Sequence, residues 1–194
     1  MNNQEVLTAV LDACVLYPAP IRDLLLSLAS EGLFEPKWSK MINEEWVRNL
    51  LLKRKDIKRE RLEVTVGFMN KSFPLANTRN YRNLTTKLNL PDKNDNHVLS
   101  SAIKSKSQYI VTSNLKDFPS IILKEYNINA IHPDEFILNL LKNNEERSLK
   151  AFSELMYRLK NPPITQEELL IIFEKIGLSK TSSKLAELTK TPPK

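Results

Sequence analysis

Val6-Leu7-Thr8-Ala9-Val10-Leu11-Asp12 decides how the rest of the chain is read. The run is apolar except for Thr8, too short for a helix of its own, and stops abruptly on a carboxylate. Its length and β-branched content predict a buried strand. Tyr109-Ile110-Val111-Thr112, ending at Ser113-Asn114, has the same character, and a shorter run covers Ile128 to Ile131. Between these runs, apolar residues recur at helical spacing. Ile21 to Ala29 ends before Gly32; a second helix starts at about Ser39, a plausible N-cap, and passes through Met41, Ile42, Trp46, Leu50 and Leu51. Arg61 to Met69 extends that helical region, and residues 74–91 carry no clear signal. Leu90-Pro91-Asp92 announces a helix with Val98, Leu99, Ala102 and Ile103 on one face, and Ser120 to Tyr126 reads as another. Alternating strands and helices predict an α/β fold with a parallel sheet flanked by helices.

From Pro133 onward the strand signals stop. Asp134 to Leu141 and Ser148 to Leu159 read as helices, and Asn161-Pro162-Pro163 as a break. Thr165 to Glu168 matches a capping box ahead of Leu169, Leu170, Ile172, Phe173 and Ile176. A last helix covers Ser182 to Leu188, and Thr191 to Lys194 reads as a frayed end. The expected organisation is an α/β domain over residues 1–136 and an all-helical extension over 137–194.

The chain has 194 residues and a mass of 22.4 kDa, enough for one sizeable core. Its three glycines, Gly32, Gly67 and Gly177, lie too far apart for a P-loop or a dinucleotide fingerprint. A single cysteine, Cys14, excludes intrachain disulfides and multi-cysteine metal sites, and suits a reducing compartment. A metal here would be held by oxygen. Met1 to Glu5 lacks the basic start of a secretory signal, and no apolar run approaches the roughly 20 residues that span a bilayer. The expectation is a cytoplasmic protein with no membrane association.

The net charge of +6 is unevenly spread. From Lys53 to Lys87 ten basic residues face three acidic ones, a local charge of +7, so the remainder of the chain sums to −1. Lys53, Arg54, Lys55, Lys58, Arg59 and Arg61 form the densest part. Such a block is either a solvated helix face or the footprint of a phosphate-backbone binder.

The acids gather at the ends of elements. Asp12 follows the first strand, where parallel sheets bind ligands; it reads equally as the cap of the next helix. At 100° per residue, Ile42, Trp46 and Leu50 form an inward stripe that Glu45 borders and Glu44 opposes, which makes Glu45 the candidate. Asp95 falls on the buried stripe of its own helix, in the first turn, where the helix dipole favours an anion. Asp92 reads as an N-cap that could share the same site. Asn114 occupies the end of the second strand, with Asp117 one turn on. Carboxylates converging on one crevice repel each other, and a hard divalent cation, Mg²⁺ or Mn²⁺, compensates them best. With the basic block, this points to hydrolysis of a nucleic-acid phosphodiester.

These residues resemble those of PIN-domain ribonucleases. Val10-Leu11-Asp12-Ala13 looks like the family's opening motif, Glu45-Trp46-Val47-Arg48-Asn49-Leu50 like its second acidic motif, and Leu90 to Leu99 with Ala102 like its third. Ile110 to Pro119 is similar to the fourth motif of a bacterial subgroup that includes VapC-type toxins with a helical C-terminal extension. The resemblance covers roughly residues 5–136. It implies a Rossmann-like sheet, a Mg²⁺- or Mn²⁺-dependent endoribonuclease directed at single strands, with tRNA or ribosomal RNA as typical targets, and a cognate antitoxin. It also implies that Asp12, Glu45, Asp95 and Asp117 are catalytic and metal-binding. Most members place an aspartate where this chain has Asn114; either Asp117 supplies the missing carboxylate or a second metal binds weakly.

Other residues are open to two readings. Thr112 and Ser113 either hydrogen-bond a carboxylate or finish their strand. His97 could contact phosphate, or pair with His132 for metal-free cleavage, although a structural role suits His132 better. Cys14 reads as a small buried residue, and Trp38 and Trp46 as core residues near apolar helical stripes. The helical tail is too poor in basic residues for a DNA-reading helix-turn-helix. The competing functional reading is a catalytically weak RNA-binding module in which Asn114 marks a decayed site. Neither reading decides between monomer and homodimer.

Overall fold

The computed structural model describes residues 6–190. The expectations for Met1 to Glu5 and for a frayed Thr191 to Lys194 lie outside the described residues. Five parallel strands form one sheet in the order β3-β2-β1-β4-β5: β1 (Thr8–Leu11), β2 (Glu35–Ser39), β3 (Asn77–Thr78), β4 (Tyr109–Val111) and β5 (Asn129–Ile131). β1 is central, with Val10 opposite Lys37 of β2 and Ile110 of β4, and Leu11 opposite Val111. Ala9, Val10, Leu11, Ile110 and Val111 are fully buried, as strands covered on both faces must be.

The helices are α1 (Ala13–Leu16), α2 (Ala19–Ser30), α3 (Lys40–Lys53), α4 (Arg59–Ser72), α5 (Arg82–Thr85), α6 (Asn96–Lys104), α7 (Ser120–Leu123), α8 (Pro133–Asn143), α9 (Glu145–Arg158), α10 (Gln166–Lys175) and α11 (Ser179–Lys190). None is long and apolar enough to cross a membrane. Contacts divide the chain into two units: residues up to Tyr17 with Glu35–Ile131, and Pro18–Phe34 with the residues from His132 on.

In the first unit the sheet carries two strands beyond the three expected. β2 was masked by its composition, Glu-Pro-Lys-Trp-Ser. A proline is normally excluded from a paired strand because it cannot donate to the ladder. Glu35 N donates towards β1, to Leu7 O, and Trp38 N donates towards β3, to Ala76 O. Alternation therefore points the Pro36 nitrogen towards β3, which begins only opposite Trp38, so no hydrogen bond is lost. Trp38 accordingly lies on a strand and not near a helical stripe. It is buried, its Nε1 donates to Asn70 Oδ1 at 2.9 Å, and its ring meets Phe73 edge-on. Trp46 is also buried, with Nε1 on Asn43 Oδ1 at 3.0 Å. Ser39 caps α3 by accepting from Ile42 N. The basic helical region is two helices, because the turn at Arg54–Lys58 separates α3 from α4.

The second unit is helical throughout. α2 packs on α9, and Phe34 and Phe136 meet edge-on at 5.0 Å. Gly32 adopts a left-handed φ of +67°, and a Cβ there would sit 2.9 Å from Arg147 Nη2. The capping box at Thr165 and Glu168 forms as the sequence predicts. Asp134, buried at the start of α8, accepts from Lys180 N at 3.1 Å and Thr181 N at 2.8 Å, anchoring the start of α11. Replacing Asp134 by Ala leaves both donors, the Thr181 N–H among them buried, without this partner and is expected to cost about 1–3 kcal/mol. Urea unfolding measures this; an unchanged midpoint would show that the anchor contributes nothing.

Candidate active site

The carboxyl ends of β1 and β4 set the position of the first acid. Asp12 directly follows Leu11, and Thr112 directly follows Val111, so the in-register strands bring them together. Thr112 Oγ1 donates to Asp12 Oδ2 at 2.7 Å, and Ala13 N donates to Asp12 Oδ1 at 2.6 Å. Cys14 Sγ donates to Asp12 Oδ2 at 3.1 Å. Asp12 is thus both the cap of α1 and a carboxylate at the sheet edge. Burial, with Glu45 nearby, raises its carboxyl above the usual range. The Cys14 thiol is pushed up to about 12, first by burial and then by the Asp12 charge, which removes it as a nucleophile.

Thr112 also shapes the turn that leaves β4, because its Oγ1 accepts from Asn114 N at 3.0 Å. Asp117 closes a single 3₁₀ turn over Leu115–Asp117. Ser113 contributes its backbone, donating to Cys14 Sγ at 3.3 Å.

From α3 comes Glu45, part-buried, while Glu44 is exposed and pairs with Lys40 at 3.5 Å. Glu45 Oε2 lies 3.2 Å from His97 Nε2 on α6, so His97 holds a carboxylate. His97 Nδ1 is buried with no hydrogen-bond partner among the described residues. His132 serves elsewhere in a structural role, its Nδ1 accepting from Asp134 N as the cap of α8.

Asp95 differs from expectation in one respect. It ends a 3₁₀ turn over Lys93–Asp95 and sits at the N-cap of α6, half-buried, without capping a backbone N–H. Its oxygens stay available. Asp92 Oδ1 caps the 3₁₀ turn through Asn94 N at 2.8 Å. The residue that holds this turn in place was not singled out from the sequence: Asn96, buried, accepts from Leu90 N and donates to Leu88 O at 2.9 Å.

Glu45, Asp92, Asp95, Asn114 and Asp117 line one cavity of about 490 Å³. Arg48, one turn beyond Glu45, lines it as well; helical spacing from Glu45 was the signal that could have found it. The six basic residues Lys53, Arg54, Lys55, Lys58, Arg59 and Arg61 are all exposed. Arg54 is committed to Asp56 at 2.6 Å, and Arg59 lies 3.7 Å from Glu63.

Electrostatically the cavity is under strain. Burial, then the charges of Asp12, Asp92, Asp117 and Glu45, push the Asp95 carboxyl up to about 7. The donors are all oxygen and mutually repulsive, a set suited in charge and chemistry to a hard divalent cation. Among the described residues, no three His, Cys, Asp or Glu side chains are already gathered at metal-binding distance. Because the folded state holds the Asp95 proton more tightly than the unfolded chain, it binds more protons between the ordinary carboxylate range and pH 7. In chelator, thermal stability is therefore expected to fall as pH rises from 5 to 8, and Asp95→Asn to flatten that slope. Melting curves across this range test it; an equal slope in the variant would remove Asp95 as the source.

Residues 8–116 match the family model described as PIN domain, and residues 133–187 match that described as VapC50 C-terminal domain. The protein named "Putative ribonuclease VapC50" from Mycobacterium tuberculosis strain H37Rv is 41% identical over 76 residues, which span 39% of this chain and 45% of that protein. No solved structure matches the chain significantly. With the family match covering more than half its length, the chain belongs to the PIN domain family.

Proposed function

We propose that the protein is a Mg²⁺- or Mn²⁺-dependent endoribonuclease acting in the cytoplasm. We read it as the toxin of a type II toxin–antitoxin pair with a cognate antitoxin as its protein partner. The observation that carries this reading is the convergence of Asp12, Glu45, Asp95 and Asp117, with the Asp95 carboxyl pushed up to about 7 by burial and then by these charges. When bound by Asp12, Asp95 and Asp117 with Glu45 beside them, the cation supplies an activated water and charge stabilisation at the phosphoryl oxygens. The chain's own groups do the positioning. Thr112 Oγ1 and Ala13 N hold Asp12 by both oxygens, and His97 Nε2 holds Glu45. Arg48 on the cavity wall offers a fork of donors to a phosphate. Residues 1–136 are the nuclease module in this reading and 137–194 a helical extension; a tRNA or ribosomal RNA strand is the substrate class.

Asn114 favours the second reading, a weakly catalytic RNA-binding module, because it offers a carbonyl but no charge. Cleavage assays on tRNA and ribosomal RNA separate the two. With Mg²⁺ or Mn²⁺, cleavage is expected; EDTA should abolish it, and Asp12→Asn, Asp95→Asn or Asp117→Asn should each cut it on the order of a hundredfold or more. Cleavage surviving chelation would rule out the metal mechanism, and RNA binding without cleavage would favour the module. If Asp117 supplies the carboxylate that Asn114 lacks, Asp117→Asn loses activity and Asn114→Asp leaves it unchanged; full activity in Asp117→Asn with a gain in Asn114→Asp assigns the role to position 114.

A further inference from the structure

A second cavity, of about 760 Å³, lies along the same edge of the sheet, and its lining is chemically opposite to the first. Because all five strands are parallel, their carboxyl ends face one way. Asp12 follows β1 and Thr112 follows β4, while Lys40 follows β2 and Arg79 follows β3. Lys40, Arg79 and Arg82 supply three cations to this second cavity, and among the described residues no carboxylate lines it. Asn77, Asn80 and Asn83 add three amides. Arg79 and Arg82 are exposed and make no ion pair among the described residues, unlike Arg54 and Arg59 in the densest part of the basic segment. Thr78 Oγ1, also on the lining, is buried and has no hydrogen-bond partner among the described residues.

The two cavities are linked through shared lining residues. Lys40 and Asn77 also line an intervening groove between α3 and α4, and that groove extends to Glu44, which borders the acidic cavity. With strands about 4.8 Å apart, the end of β3 lies roughly 10 Å along the edge from the end of β1, a step of a few nucleotides. Guanidinium forks match phosphate oxygens, and side-chain amides present the donor and acceptor that a base edge requires. Asn80, between the two arginines, holds a left-handed φ of 58°, a conformation asparagine tolerates.

We infer that the Lys40, Arg79 and Arg82 cavity is a subsite for a flanking nucleotide of the single-stranded RNA substrate, its phosphate on the two arginines and its base facing the asparagine amides. This rests on the ribonuclease reading for the identity of the strand but not on catalysis. The subsite places the main phosphate contacts at the far end of the basic segment, away from Lys53 to Arg61.

Binding of a fluorescent single-stranded oligoribonucleotide in EDTA, titrated at salt between roughly 50 and 200 mM, tests it. Arg79→Gln/Arg82→Gln is expected to weaken binding roughly tenfold and to lower the salt slope by about 1.4, the release expected for two phosphate contacts on a single strand. Lys124→Gln/Lys142→Gln, an equal change in charge at exposed positions elsewhere, should do markedly less. In parallel, photo-crosslinking of 4-thiouridine RNA to the unaltered protein should mark a peptide containing residues 77–83, which covers the case of a misfolded variant. Equal affinity and slope in the arginine variant with no crosslink there would overturn the subsite; so would a loop that binds an acidic protein segment and leaves RNA affinity untouched. Cleavage by the unaltered protein in Mg²⁺ is scored separately, so that cleavage without a subsite effect defeats only this inference, and a subsite effect without cleavage defeats only the nuclease reading.

Discussion

The hydrogen bond from Thr112 Oγ1 to Asp12 Oδ2 exists because β1 and β4 run parallel with Leu11 opposite Val111. Each strand ends one residue before a member of this pair. A one-residue slip in register would move every side chain of the strand to the other face and separate this pair. The same register lets Asp12 N donate to Val111 O, so the backbone and side chain of Asp12 are both tied to β4. Thr112 then accepts from Asn114 N, and the turn that carries Asp117 is built on the same hydroxyl.

Bringing several acids together is costly, and the structure shows how the cost is distributed. Asp12 is the most buried and accepts three hydrogen bonds, from a backbone N–H, a hydroxyl and a thiol. Glu45 leans on a buried histidine. Asp95 has no such donor among the described residues, so burial and then the charges of four other carboxylates push its carboxyl up to about 7. Along the same edge the acids give way to Lys40, Arg79 and Arg82, so a polyanionic strand meets a repulsive centre beside an attractive flank.

Much of this was legible because it depends on short-range pattern. β1 and β4 are apolar runs ending in polar residues, and the Glu44–Glu45 choice follows from helical angle alone. Other elements were hidden by their composition. Pro36 disguised β2, since only the position of β3 makes its missing N–H harmless. The two-residue β3 is too short to leave a periodic signal. Asn96, which fixes the turn carrying Asp92 and Asp95, reads as an ordinary polar residue until its contacts with the preceding loop are seen.

By itself, then, the sequence determined which residue types could do chemistry and which local elements carry them: too few glycines for a phosphate loop, too few cysteines and histidines for soft metal sites, and acids at the ends of strands and helices. Only the tertiary structure decided which of those acids meet and which basic residues stay unpaired. Periodicity reports one element at a time, whereas the proximity of Asp12 to Thr112, a hundred residues apart, is set by strand register. Charge counting likewise shows a basic segment, but whether an arginine is free for a ligand depends on the acid that folding places beside it, as Asp56 beside Arg54 shows.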